Sequence, residues 1–260
     1  MKRVITIITL LFFIQQSKAE CIMGGITYFP EQQCISQNSI FIFEGYAFDQ
    51  DVINSFNENR QAYLETDDGD KVVLKIEDIF IGQMGLTQAM FRPEEKLKLD
   101  KKYYLKFTNL TDDEKFDYLT KFNQTTGKRE PIYWEVTDDQ TVELNSELNL
   151  NFDQTEVEYY GCGPSAFALF QTQHSLGMEI WYRTEVYDKS AKTSTTYIIK
   201  DWDEKLRVGH DMCAGGFTFT KKGNYKVRFT PMNIDGIELP TTEWTSFESP
   251  FKNSDNPWGY

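Results

Sequence analysis

Short runs in which apolar and polar residues alternate recur along the chain from residue 39 onwards. Apolar side chains at every second position place one face of an extended strand in a core, so this spacing predicts β-strands. The clearest runs are rich in β-branched and aromatic residues and lie at 39–43, 71–81, 103–107, 180–187, 195–200, 217–219 and 225–230. The pattern predicts an all-β protein.

The run at 71–81 changes its pattern midway. Leu74 and Ile76 fall on one face of the predicted strand, whereas Ile79 and Ile81 fall on the other. One extra residue in a strand or a turn produces such a switch, so we expect a β-bulge or a turn near Glu77 and Asp78. Just before this run, the Asp-Asp-Gly-Asp sequence at 67–70 is typical of a hairpin turn.

Two stretches, 48–60 and 112–122, have the spacing of short helices instead. The second begins after Thr111, and Glu114 follows three residues later, which is the spacing of a capping box. Long amphipathic helices do not separate the predicted strands. Antiparallel sandwiches are therefore favoured over a parallel sheet.

A charge-rich stretch interrupts the strand pattern near the middle of the chain. It predicts a linker at 113–130 between a first domain at 20–112 and a second at 131–250, with a C-terminal tail at 251–260. Each domain has about the hundred-residue size of an immunoglobulin-like sandwich.

Two stretches resemble bacterial extracytoplasmic immunoglobulin-like and fibronectin-like modules. Residues 92–107, RPEEKLKLDKKYYLKF, are similar to the P-x-x-x-L-x-x-x-x-x-Y-x-L stretch that closes many such domains. Residues 222–229, KGNYKVRF, are similar to their G-x-Y-x-V final strand. A tyrosine that enters a strand in this way can bury its ring while its hydroxyl finds a backbone partner. The resemblance implies two immunoglobulin-like β-sandwich domains in tandem, and it carries no functional residues.

The first nineteen residues have the pattern of a signal peptide. Lys2 and Arg3 precede an uncharged, mostly apolar run at 4–14. Ser17 and Ala19 are small residues at the −3 and −1 positions of a cleavage site. The apolar run is too short to span a bilayer, so we predict cleavage after Ala19. The mature chain, without an integral membrane segment, is then periplasmic or secreted.

The chain is acidic, with 40 Asp and Glu against 27 Lys and Arg and a formal charge of −13. Binding to nucleic acid or to an anionic membrane needs a basic surface, so both classes of partner are excluded. Aromatic residues make up 15% of the chain, which is enough to build a substantial core.

Export places the four cysteines in an oxidising compartment. Four cysteines allow three connectivities, and the division into domains favours the pairs Cys21–Cys34 and Cys162–Cys213. A Cys2His2 metal site formed by Cys162, His174, His210 and Cys213 would lack the spacing of a zinc finger, and neither a metal nor another cofactor is predicted.

A cysteine peptidase is the first alternative. Residues 161–170, GCGPSAFALF, resemble the nucleophile segment of papain-like and bacteriocin-processing peptidases, in which C-G-P opens a helix. A helix N-terminus there would lower the pKa of the thiol. In this alternative Cys162 is the nucleophile, His210 the base and Asp211 its orienting group. Gln154 would serve the oxyanion. The strand pattern that follows this segment opposes the alternative.

Exposed tryptophans suggest a further alternative, a carbohydrate-binding accessory protein. Trp202, Trp244 and Trp258 could form a stacking platform for sugar rings or a peptide. Trp181 or its neighbour Tyr182, by contrast, is expected to be the large buried ring of the second domain.

The sequence therefore predicts an exported, acidic, non-catalytic protein of two β-sandwich domains. We expect it to act as a binding or structural module at or outside the cell envelope, where its partner is a protein or a glycan.

Overall fold

The computed structural model describes residues 24–56, 58–138, 144, 148, 150–172 and 179–254. In these residues the protein consists mainly of β-strands arranged in several sheets, so the predicted all-β class is confirmed. The helices in this part of the chain are too short or too polar to span a bilayer.

The strands of the first half form one large sheet with a small hairpin beside it. In chain order they are β1 (Gly25–Phe29), β2 (Cys34–Ile35), β3 (Phe41–Tyr46), β4 (Ala62–Thr66), β5 (Lys71–Ile81), β6 (Leu86–Pro93), β7 (Lys102–Phe107), β8 (Thr120–Asn123), β9 (Lys128–Pro131) and β10 (Tyr133–Val136). The large sheet has the order β1-β3-β6-β5-β4-β7-β10-β2, and its neighbours are antiparallel except for β10 and β2. Two short helices, α1 (Gln50–Ser55) and α2 (Asp112–Tyr118), lie between strands.

The strands of the second half form two sheets that face each other. In chain order they are β11 (Leu150–Tyr160), β12 (Gly163–Thr172), β13 (Ile180–Asp188), β14 (Thr193–Lys200), β15 (Lys205–His210), β16 (Asn224–Asn233) and β17 (Thr245–Glu248). One sheet has the order β11-β12-β15 and the other the order β14-β13-β16-β17. The ring of Phe170 in the first sheet lies 5.0 Å from that of Phe229 in the second. The two sheets therefore share a core, as in a sandwich.

Of the bulge or turn expected near Glu77 and Asp78, the structure shows the bulge, in β5. This strand spans Lys71–Ile81, and its register with β6 shifts between Ile76 and Asp78. The hairpin turn before β5 is also as predicted, with Gly69 at a φ of 88°, where a side chain would be strained.

The second predicted helix forms, but it is shorter than its pattern suggested. Thr111 and Glu114 make the capping box in both directions, and α2 ends at Tyr118 because β8 follows almost at once. The predicted strand at 217–219 is wrong. Phe217 is buried without belonging to a strand, because an irregular segment turns its ring onto Tyr225, with the ring centroids 5.4 Å apart.

The segment proposed as a linker, 113–130, contains most of α2 together with β8 and most of β9. Strand β10, which follows it, pairs with β7 in the large sheet. Among the described residues, the sheets of the second half begin with β11.

Tyr103 and Tyr225, the tyrosines of the two stretches that resemble immunoglobulin-like modules, are both buried and both accept a backbone hydrogen bond. Tyr103 is buried at the start of β7, and its hydroxyl accepts a hydrogen bond from the backbone N–H of Lys98 at 3.0 Å. Tyr225 is buried at the start of β16, and its hydroxyl accepts one from the N–H of Thr220 at 2.7 Å. The partner lies five residues upstream in both cases.

Main-chain hydrogen bonds join the two halves directly. Met84 and Gly215 exchange two such bonds, of 3.2 and 2.7 Å, and the N–H of Ile40 donates to the carbonyl of Ile234 at 2.8 Å. These contacts join the two halves, and residues of both halves line a groove between them.

Candidate functional site

Strand β1 lies at one margin of the large sheet, and a groove opens on each of its faces. The first, which we call the inner groove, has a volume of about 370 Å³ and lies between β1 and β10. The second, the junction groove, has a volume of about 290 Å³ and lies between β1 and the second half. Because successive side chains of a strand point to opposite faces, β1 contributes to both. Ile26, Tyr28 and Pro30 line the inner groove, Phe29 lines the junction groove, and Thr27 and Glu31 line both.

The junction groove is held in shape by the side-chain amide of Gln88. Its Nε2 donates to the carbonyl of Ile198 at 2.7 Å, and its Oε1 accepts from the N–H of Ile198 at 2.8 Å. Ile198 lies in β14, which is the margin of its sheet. The amide thus pairs with β14 as a neighbouring strand would, and it ties β6 to the second half.

A partly buried carboxyl group, that of Glu44, lies beside this amide. Gln88 also donates to Glu44 Oε2 at 2.6 Å. Desolvation raises the pKa of Glu44, and the hydrogen bond from Gln88 opposes that shift without cancelling it. Glu44 therefore holds its proton to a higher pH than an exposed glutamate does.

Two cations stand over aromatic rings at the rim of the junction groove. Lys200 forms an ion pair with Glu31 and lies 5.6 Å from the centre of the Phe29 ring. The guanidinium of Arg207 lies 5.4 Å from the ring of Trp202 and 5.5 Å from that of Phe167. Among the described residues, no carboxylate forms an ion pair with Arg207.

Trp202 is held on a strained two-residue turn. Trp202 and Lys205 exchange backbone hydrogen bonds of 2.9 and 3.1 Å, and Asp203 and Glu204 between them have φ values of 55° and 57°. Left-handed backbone in residues other than glycine costs roughly 1 kcal/mol or more per residue. The turn leaves Trp202 71% exposed, so its ring is open to a ligand.

The other predicted tryptophans are placed differently. Trp244 is partly buried, and Lys226 and Arg228 lie 4.2 and 4.6 Å from the centre of its ring. Its stacking surface is therefore already used by the protein. Trp258 lies outside the described residues. Trp181 is 1% exposed, which confirms the predicted core aromatic.

Neither predicted disulfide forms in this structure. Cys34 and Cys162 are both free and exposed, so the pairs Cys21–Cys34 and Cys162–Cys213 are corrected. Cys34 is on the outward face of β2, and Cys162 is at the tip of the β11–β12 hairpin. Cys213 is in a disulfide bond, and Cys21 lies outside the described residues.

The helix that the peptidase alternative requires after Cys162 does not form. Residues from Gly163 form β12, because its apolar run is buried between neighbouring strands. Ala166 pairs with His210, which leaves Cys162 and His210 on the order of 10 Å apart along the strand direction. His210 Nδ1 lies 2.9 Å from the carbonyl oxygen of Asp211, and burial lowers the pKa of His210.

Two further predicted partners give no support to a thiol or metal centre. Gln154 is exposed on β11, and His174 lies outside the described residues. In the part of the chain that the structure describes, no three His, Cys, Asp or Glu residues gather as metal ligands do.

Most of the groove residues were not singled out from the sequence. Trp202 was, but Phe29, Gln88 and Arg207 were not. The signal for Arg207 was present, since it alternates with the apolar Leu206 and Val208. The partnership of Gln88 with a residue 110 positions away leaves no local pattern.

Sequence comparison finds no matching family model and no matching curated protein. Among solved structures, the chain is similar to a pullulanase from Anoxybacillus sp. LM18-11 in complex with maltotriose, at 10% identity and a TM-score of 0.24 over 79% of this chain and 24% of that one. It is also similar to pullulanase type I from Bacillus subtilis str. 168 in complex with maltose, at 10% identity and a TM-score of 0.25 over 86% of this chain and 24% of that one. A cytokine receptor complex matches at 10% identity and a TM-score of 0.24 over 86% of this chain and 94% of that one. The chain spans about a quarter of the pullulanases' length. Likeness at this level carries no argument about function.

Proposed function

We propose that this protein is an exported, non-catalytic binding module that takes a protein or glycan ligand into the grooves beside β1 and acts at or outside the cell envelope. The signal-peptide pattern of residues 1–19 supports export. Sequencing of the mature N-terminus after expression in a bacterial host is expected to begin at Glu20. A mature chain that still begins at Met1 would contradict this part of the proposal.

The proposal includes two immunoglobulin-like sandwich domains in tandem. Tyr103 and Tyr225 support it, because a buried tyrosine whose hydroxyl binds the backbone a few residues upstream is a hallmark of that fold. The facing sheets of the second half are consistent with it as well.

The observation that carries the binding role is the exposed ring of Trp202 beside Arg207. A tryptophan exposed to this degree on a strained turn gains little from the folded state, so the arrangement is better explained by a ligand than by stability. Phe29 and the flanking charges would give that ligand both an apolar and a polar surface.

Paired tryptophan variants test this role. We expect Trp202→Ala to lose binding to glycan arrays or to phage-displayed random octapeptides, whichever the wild-type protein binds. Trp244→Ala, whose ring the protein's own cations cover, is expected to keep that binding. Equal binding by the wild type and both variants, or no binding of either probe by the wild type, would overturn the proposal.

The non-catalytic part of the proposal rests on the surroundings of Cys162. Its thiol is on an exposed hairpin tip, and the imidazole of His210 is turned to the backbone of Asp211. We expect Cys162→Ala to leave any measured binding unchanged, and the wild-type protein not to hydrolyse casein. Casein hydrolysis that Cys162→Ala abolishes would establish the peptidase instead.

A further inference from the structure

The free edge of β1 faces an opening in the large sheet. Among the described residues β1 pairs with β3 alone, so every second residue of Gly25–Phe29 turns its N–H and C=O away from the sheet. The inner groove begins at this edge and ends at β10, where β2 pairs with Glu135 and Val136 but not with Tyr133 and Trp134. The inner groove therefore lies between the free edge of β1 and the first half of β10, and Lys121 of β8 also lines it.

We propose, resting on the binding function above, that an extended peptide of a partner protein fills this opening by adding to β1 as a strand. The indole Nε1 of Trp134 donates to the carbonyl of Pro30 at 2.8 Å and closes the opening at that end. The peptide is then confined to the length of β1, which is about 17 Å for its five residues.

The position of β1 between two grooves dictates the side chains of the peptide. Successive residues of an added strand point to opposite faces, so they enter the inner groove and the junction groove in turn. The apolar part of the inner groove is lined by Ile26, Ile132 and Trp134, and it suits apolar side chains. Thr27, Glu31 and Lys121 also line this groove. Apolar residues are therefore expected at alternate positions of the peptide.

The charges of the junction groove suit one acidic side chain in between. Lys200 is neutralised by Glu31, but Arg207 has no carboxylate partner among the described residues. A single Asp or Glu of the peptide would meet Arg207 beside the Trp202 ring.

A sugar could stack on Trp202 without using the rest of this arrangement. It would leave the free main-chain groups of β1 and the inner groove without partners. An added strand uses the edge and both grooves together, and the observations therefore favour a peptide.

Selection from a phage-displayed random octapeptide library tests the inference. We expect enriched peptides with apolar residues at alternate positions and one acid between them. Arg207→Glu is expected to lower the affinity for a selected synthetic peptide by roughly 10- to 100-fold, as loss of a charge-assisted hydrogen bond does. Lys189→Glu, the same charge change on the hairpin between β13 and β14, is expected to have little effect.

Backbone N-methylation of the selected peptide tests strand pairing itself. Methylation at alternate residues of one register is expected to weaken binding by about 10-fold or more, because it removes donors that pair with β1, whereas the other register keeps its binding. Loss in neither register, loss in both registers, or no enriched peptide would overturn the inference. If the wild-type protein binds a glycan but no peptide, and Trp202→Ala abolishes the glycan binding, the proposed function is retained and the peptide inference is rejected. Absence of both would reject both.

Discussion

The amide of Gln88 is expected to stabilise the protein far more than its size suggests. In Gln88→Met the side chain keeps its length, but both backbone groups of Ile198 lose their partner. Ile198 is buried, and water does not replace the lost bonds easily. An unpaired buried polar group costs about 1–3 kcal/mol, so the two groups together cost about 2–6 kcal/mol. That is a large part of the 5–15 kcal/mol that typically separates folded from unfolded domains.

A second glutamine at the same junction provides the control. The amide of Gln83 donates to Thr195 Oγ1 at 2.7 Å and accepts from Thr218 Oγ1 at 2.9 Å, but these bonds are exposed to solvent. Water can replace them, so Gln83→Met is expected to cost about 1 kcal/mol or less.

Urea unfolding followed by tryptophan fluorescence measures both variants. We expect a much lower midpoint for Gln88→Met than for Gln83→Met, with an unchanged slope for the control. A new intermediate in Gln88→Met would mean that the amide couples the unfolding of the two halves. Equal stability of the two variants would refute the reasoning that the Gln88 amide acts as a strand partner.

Further predictions concern pH, thiols and the tyrosine pairs. Burial raises the pKa of Glu44 in the folded state, so the free energy of unfolding is expected to fall as pH rises from the ordinary glutamate pKa through the raised one. Urea titrations at pH 4–7 measure this, and Glu44→Gln is expected to flatten the fall. A fall that is equally steep in Glu44→Gln and in the wild type would contradict the role of Glu44. Iodoacetamide is expected to label Cys34 and Cys162 in the native, unreduced protein and Cys213 only after reduction, which peptide mass spectrometry checks; a Cys162–Cys213 link would contradict the structure. Tyr225→Phe is expected to lower the free energy of unfolding by about 1–2 kcal/mol, since it leaves a backbone N–H without its partner, and no change in the urea midpoint would exclude that role.

The sequence predicted the strands best where one face of a strand is buried. In β5 the alternation of Leu74 and Ile76 against Ile79 and Ile81 located even the bulge, because burial imposes a period of two. In β12 the run after Gly163 is buried on both faces and shows no such period. A short apolar run of that kind is equally compatible with a helix, so the sequence alone left the peptidase alternative open at Cys162.

The candidate site was less predictable because it depends on contacts between the halves. An exposed tryptophan such as Trp202 can be guessed from its polar neighbours. The partnership of Gln88 with Ile198 cannot, because it joins side chain to backbone and leaves no trace in residue type. The predicted pairs Cys21–Cys34 and Cys162–Cys213 are wrong for a similar reason, since the count of cysteines does not reveal which of them face solvent.

The Gln88 amide has one more consequence, which concerns self-association. A sheet margin with free main-chain groups can template growth by neighbouring molecules. At Ile198 in β14 those groups are occupied by the chain's own amide, so that stretch is closed to a second molecule. The margin at β1 has no such cover among the described residues. A high protein concentration is therefore expected to produce oligomers that grow from β1 rather than from this part of β14.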